Sequence, residues 1–128
     1  MYEQYIIVES ETKNIIEDEK VIGYKIAARV PYYRGLGLSM IEDIQLKVDG
    51  HAVAPEQLQI ELHGNTYTLA TMETEADDRW EFGEVGFIKV MQAGGLTPGK
   101  HQIDLLFNLR ISYMPVNAVR KDTKTISV

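Results

Sequence analysis

Four carboxylates and one arginine crowd Glu73-Thr74-Glu75-Ala76-Asp77-Asp78-Arg79, the densest acidic run in the chain. Oxygens at this density suit a hard cation such as Ca²⁺, but the spacing departs from an EF-hand loop and lacks its central glycine. Paired carboxylates also drive glycoside hydrolysis, where the separation across the sugar is what matters, and adjacency in sequence does not set it. Charge runs usually face water, so the plain reading of the run is a solvated loop. It ends in Arg79-Trp80, and both a guanidinium and an indole are enriched where partners dock.

Pro31-Tyr32-Tyr33-Arg34-Gly35-Leu36-Gly37-Leu38-Ser39 is the second segment with chemical content. Its glycines look like a phosphate loop, yet no Gly-Lys-Ser/Thr follows and no helix N-terminus stands ready for the anion. Nucleotide binding is not expected. Tyr32, Tyr33 and Arg34 suit recognition of a partner or a planar ligand, because large rings bury area at small rotamer cost. The competing reading is a core tyrosine pair beside a tight turn. Leu109-Arg110-Ile111-Ser112-Tyr113 puts another arginine and tyrosine at a strand end.

His51, His63 and His101 each sit beside a turn signal, and turns at different ends of a fold do not gather imidazoles around a metal. They read as solvated surface residues. The absence of cysteine removes disulfides, thiolate nucleophiles and cysteine-ligated zinc. No Ser-His-Asp order or activated-lysine pocket emerges. No residue is therefore assigned as catalytic or as a metal ligand. Tyr32, Tyr33, Arg34, Arg79 and Trp80 are the candidates for a partner-binding surface or the rim of an active site.

These residues need a scaffold, and the composition supplies one. With 128 residues, 45% hydrophobic and 25% charged, the chain is expected to fold as one domain over residues 1–128 around a real core. A net charge of −6 with scattered Lys and Arg argues against a nucleic-acid partner. No apolar run of membrane length and no leader pattern occurs, so no membrane association is expected and the cytosol is the expected location.

Ile44-Gln45-Leu46-Lys47-Val48 and Leu58-Gln59-Ile60-Glu61-Leu62 alternate as half-buried strands do. Asp49-Gly50 closes the first, and Gly64-Asn65 turns the second back into Thr66-Tyr67-Thr68-Leu69, a hairpin signature. Further strands are expected at Tyr5–Val8, Val21–Val30, Trp80–Phe82, Phe87–Val90, Gln102–Tyr113 and Thr123–Val128, with Met114–Asp122 as an extended excursion. Leu106-Phe107 suggests burial on both faces or a bulge. Met72–Trp80 has no apolar stripe at helical spacing and reads as a loop. The expected fold is all-β: an antiparallel, two-sheet, jelly-roll-like β-sandwich.

Several blocks together resemble a known family. Tyr32-Tyr33-Arg34-Gly35-Leu36-Gly37-Leu38-Ser39, Glu42 to Gly50, His63-Gly64-Asn65-Thr66-Tyr67, Met72-Glu73-Thr74-Glu75, Asp78 to Gly83 and Leu109 to Tyr113 look like the small β subunit of bacterial C-glycoside deglycosidases. The resemblance runs from about Val21 onward. It implies a β-sandwich that is non-catalytic and binds a larger α subunit, a TIM-barrel protein similar to sugar-phosphate isomerases and epimerases, in a hetero-oligomer. The α subunit would hold the acid and base residues and a divalent metal, manganese by resemblance, with no cofactor on this chain. The complex would be a carbon–carbon lyase, separating a 3-keto sugar from a flavonoid-type aglycone. The alternative is a free-standing carbohydrate- or Ca²⁺-binding sandwich that uses the acidic run and Trp80.

Overall fold

A polar–apolar alternation becomes a strand when one of its faces can be buried, and this chain stacks two sheets to bury them. The computed structural model describes residues 6–29, 36–72, 79–81, 84–110 and 118–127. In chain order the strands are β1 (Ile7–Glu17), β2 (Lys20–Arg29), β3 (Leu36–Gly37), β4 (Ile41–Val48), β5 (His51–Ala52), β6 (Leu58–Leu62), β7 (Asn65–Tyr67), β8 (Arg79–Trp80), β9 (Val85–Val90), β10 (Lys100–Leu109) and β11 (Ala118–Ser127). One sheet has the order β1-β2-β9-β6-β7 and the other β11-β10-β4-β5, while β3 and β8 form a separate short ribbon. The pairings within them are antiparallel. The all-β two-sheet reading of the sequence holds.

The alternations work as read. Leu58, Ile60 and Leu62 from one sheet meet Ile44, Leu46, Ile103, Leu105 and Phe107 from the other in a continuous core. Leu106 is half-buried on the outer face of β10, and the irregularity in the β10–β4 register falls at Asn108/Leu109. Both turns read from the sequence have the positive φ of a two-residue hairpin: Asp49 and Gly50 at 52° and 83°, and His63 and Gly64 at 54° and 78°. The second turn therefore starts one residue earlier than expected, with Asn65 already in β7.

Two expectations change. The returning strand stops at Tyr67, and Leu69–Met72 forms one α-helical turn, α1. Thr68 and Thr71 exchange hydrogen bonds across its start, Thr71 N donating to Thr68 Oγ1 at 3.1 Å and Thr68 N to Thr71 Oγ1 at 2.8 Å, which satisfies free amides as a capping box does. Strand structure is also longer at both ends of the chain than the pattern implies. β1 continues to Glu17, and β11 begins at Ala118 where an excursion was expected.

These two polar strands are outer strands, and they meet at a corner of the sandwich without backbone pairing. Side chains close the corner: Ile7 N donates to Asp122 Oδ2 at 3.0 Å, Lys124 Nζ donates to Ile7 O at 2.7 Å, and Ser127 N donates to Glu9 Oε2 at 3.0 Å. Asp122 is buried for this purpose. Thr12 plays a similar part inside β1, where the register with β2 shifts: its hydroxyl accepts from Ala27 N at 3.0 Å and donates to Val8 O at 2.9 Å. No helix among the described residues is long and apolar enough to cross a membrane.

The register gives the sandwich two distinct ends. Arg29, Ile41, His63, Arg79, Val85 and Arg110 lie at one, and the 18–19 turn, Asp49–Gly50, residues 91–99 and His101 at the other.

Candidate functional site

At the first end, the ribbon pairs Leu36 with Trp80 and Gly37 with Arg79. Adjacent residues on a strand point to opposite faces, and here they part sharply. Trp80 is 0% exposed; its indole Nε1 donates to Glu84 O at 2.7 Å. Its ring meets Phe107 edge-on, with 5.7 Å between centroids and 75° between planes. The sequence marked Trp80 for a docking or rim surface, whereas the structure makes it a core peg with no surface to offer a partner. The reason is Gly86, whose missing side chain leaves room for the indole.

Arg79 does stand in solvent, with its side chain 52% exposed and Nε 2.9 Å from Glu81 Oε1. From there a chain of contacts runs across the end of the sheet: Glu81 N donates to Glu84 Oε1 at 3.1 Å, and Glu84 Oε2 lies 2.5 Å from His63 Nε2. A second exposed arginine frames the same region. Arg110 Nη2 donates to Ser39 O at 3.3 Å and its Nε lies 3.5 Å from Glu42 Oε1, while its backbone N donates to Met40 O at 2.8 Å. Ser39 and Met40 directly follow the strand that carries Arg79's pairing partner, so both arginines are anchored through the 36–40 segment. Such exposed ion pairs contribute only about 0–1 kcal/mol each. Neither ion pair by itself opposes an incoming carboxylate by more than that.

Tyr32, Tyr33 and Arg34 lie outside the described residues, as do the acidic run from Glu73 to Asp78 and Ile111–Tyr113. Their described flanks, Arg29 with Leu36, Met72 with Arg79, and Arg110 with Ala118, lead to and from this region.

The histidines divide. His51 is exposed and His63 belongs to the contact chain above. His101 corrects the expectation of a surface residue: it is 8% exposed, with Nδ1 2.7 Å from Asp49 Oδ2 and Nε2 2.7 Å from Thr97 O. The carbonyl of Thr97 and the Asp49 carboxylate raise its pKa, and the hydrogen bonds from His101 and the Gln102 amide lower that of Asp49. Asp49 Oδ1 accepts from Gln102 N at 2.9 Å, and Asp49 N returns a hydrogen bond to Gln102 O at 2.8 Å. The Asp-Gly turn was a visible signal, but its partner lay half the chain away. Among the described residues no three of His, Asp or Glu converge as a metal would require.

Against known proteins, the sequence family described as C-glycoside deglycosidase beta subunit matches residues 2–113. A C-glycoside deglycosidase beta subunit of Eubacterium cellulosolvens is 32% identical over 96 residues, 75% of this chain and 65% of that protein, so the match spans just under two thirds of the relative's length. The 3'-dehydrocarminate deglycosidase beta subunit of a Microbacterium species is 31% identical over 116 residues, covering 91% of this chain and 83% of its own. A C-glycoside deglycosidase beta subunit of Arthrobacter globiformis is 27% identical over 100 residues, 77% of this chain and 75% of that one.

Proposed function

Because the chain belongs to the C-glycoside deglycosidase beta subunit family, we propose that it is the non-catalytic beta subunit of a deglycosidase complex, contributing a surface rather than reacting groups. Its partner is a larger alpha subunit of TIM-barrel type, similar to sugar-phosphate isomerases and epimerases. That subunit carries the acid and base residues. It also carries a divalent metal, manganese by family resemblance, which supplies charge stabilisation there.

The reaction divides the labour naturally. A ketone at C3 of the sugar acidifies the proton at C2; a base removes it, the bond from C1 to the aromatic carbon breaks, and an acid protonates the departing carbon. All of this takes place in the alpha subunit. What a barrel lacks is a roof: its active-site loops gather at one open face. A sandwich end set against that face excludes water and orients a bulky flavonoid-type aglycone. The surface around Arg79 and Arg110 is the docking end in this reading, with Trp80 holding the ribbon beneath it. The complex works in the cytosol.

The observation that carries the proposal is the family match over residues 2–113. The test is co-expression with an isomerase-like barrel protein encoded beside it. The pair should purify as a stable complex that cleaves a 3-keto isoflavone C-glucoside, with neither protein active alone; full activity in the large protein by itself rejects the proposal.

A further inference from the structure

At the end of the sandwich away from Arg79, residues 91–99 cross between the sheets over a cavity of about 260 Å³ lined by Tyr24, Val48, Val53, Leu96, Thr97 and His101 among others. The Gly94 amide ties the loop to the Val21 carbonyl at 3.0 Å, and side chains hold it at two further points. On the β1 side, Asn14 clasps it by two hydrogen bonds, Leu96 N to Asn14 Oδ1 at 2.7 Å and Asn14 Nδ2 to Leu96 O at 2.9 Å. Neither group titrates. On the β10 side the hold is His101, between Asp49 and the Thr97 carbonyl.

A carbonyl and a carboxylate are both acceptors, and an imidazole satisfies two acceptors at once only when both nitrogens carry protons. The observed geometry is therefore that of the imidazolium. Neutral His101 has one proton, which the charged Asp49 holds more strongly than a carbonyl does, so Nε2 becomes a bare lone pair facing the oxygen of Thr97. The same residue offers an alternative: Thr97 Oγ1 lies 3.4 Å from Nε2, and a hydroxyl can donate to a lone pair. The titratable groups around His101 among the described residues are Asp49, which bonds it, and His51 and Tyr24, which line the same cavity; exposed Lys100 precedes it in the strand.

We propose that His101 and Thr97 form a two-position, proton-operated latch: the protonated ring holds the Thr97 carbonyl, the neutral ring holds the Thr97 hydroxyl, and the loop over the cavity re-seats between the two. The upward displacement of the His101 pKa puts the change on the alkaline side of an ordinary histidine, within reach of physiological pH.

Nitrogen-edited NMR of the full chain decides it. The His101 ring should carry two protons below a midpoint that lies above 6.5 and lose the one on Nε2 at the transition, with the Thr97 backbone resonances following the same midpoint and the Leu96 amide unmoved. Thr97→Val keeps the carbonyl and deletes the hydroxyl, so it should raise the midpoint by roughly half a unit, the equivalent of one hydrogen bond. Asp49→Asn should lower it by about one unit or more. A neutral ring that keeps its proton on Nε2 overturns the latch. So does a Thr97→Val midpoint equal to that of the parent, and these two readings suffice if Asp49→Asn does not fold.

Discussion

Gly86 and Trp80 fit together so closely that a β-carbon at position 86 would stand 2.9 Å from the indole Cζ2. Atoms do not approach that closely without moving, and Phe107 already packs edge-on with the same indole. Gly86→Ala should therefore displace the indole from the Glu84 carbonyl and destabilise the fold by about 1–3 kcal/mol, the usual penalty of overpacking. The chain has a single tryptophan, so its fluorescence in a denaturant titration reports both the lost stability and the altered environment.

Arg79 lies next to Trp80 in sequence and on the other side of the ribbon. Reversing its charge, together with that of Arg110, removes two exposed pairs that contribute at most about 1 kcal/mol each, so the isolated chain should stay folded with its melting temperature lowered by only several degrees. Binding to the alpha subunit should weaken by about tenfold or more, with much of the loss in the association rate and its salt dependence. Equal affinity of Arg79→Glu/Arg110→Glu and the parent, measured by surface-immobilised kinetics, places the interface elsewhere.

This contrast marks how far sequence goes. Leu58–Leu62 and Ile44–Val48 were legible because each buries one face only, so the pleat imprints its period on the residues. β1 and β11 were legible only in part, at Tyr5–Val8 and Thr123–Val128: elsewhere in these outer strands positions are filled by groups such as Thr12 and Asp122 that serve backbone amides and carbonyls, which leaves no apolar period. The site was half legible. Arg79 was singled out by its type, but an indole is equally good as a surface anchor and as a core peg, and only the vacancy at Gly86 decides between them. His101 looked like any turn neighbour because its partner Asp49 is 52 positions away.

At the β1–β11 corner, Asp122 accepts the amide of Ile7 and Lys124 donates to its carbonyl. Asp122→Ala leaves that amide without its acceptor and should cost about 1–3 kcal/mol. Asp122→Asn keeps an acceptor oxygen and should cost less. Urea unfolding compares them; a cost for the alanine variant within error of zero means that water replaces the carboxylate and the corner is not held by it.

The β1–β2 turn carries Asp18 and Glu19 at φ of 51° and 64°, a region that disfavours a β-carbon by roughly 1–2 kcal/mol per residue. Glycine relieves this at the expense of a more flexible unfolded chain, so Glu19→Gly should stabilise by about 0.5–1 kcal/mol. A fall in melting temperature would mean that the Glu19 side chain compensates for the strain.

The His101–Asp49 pair fixes how stability varies with pH. His101 has its pKa raised in the folded state, so its stabilisation is complete below the ordinary imidazole value of 6.5 and is lost as pH rises from there through the raised value. Asp49 has its pKa lowered, so its contribution is complete above the ordinary carboxylate value of 3.8 and disappears as pH falls through the lowered one. The two limbs leave a plateau between about pH 3.8 and 6.5. Thermal melts across pH should show a decline on both sides of it. His101→Gln should flatten the alkaline limb and weaken the acid one, since the hydrogen bond from His101 is the foremost cause of the lowered Asp49 pKa. Asp49→Asn should flatten the acid limb and only reduce the alkaline one, whose foremost cause is the Thr97 carbonyl, ahead of the hydrogen bond to the carboxylate. An alkaline limb of full size in His101→Gln would assign the decline to another group.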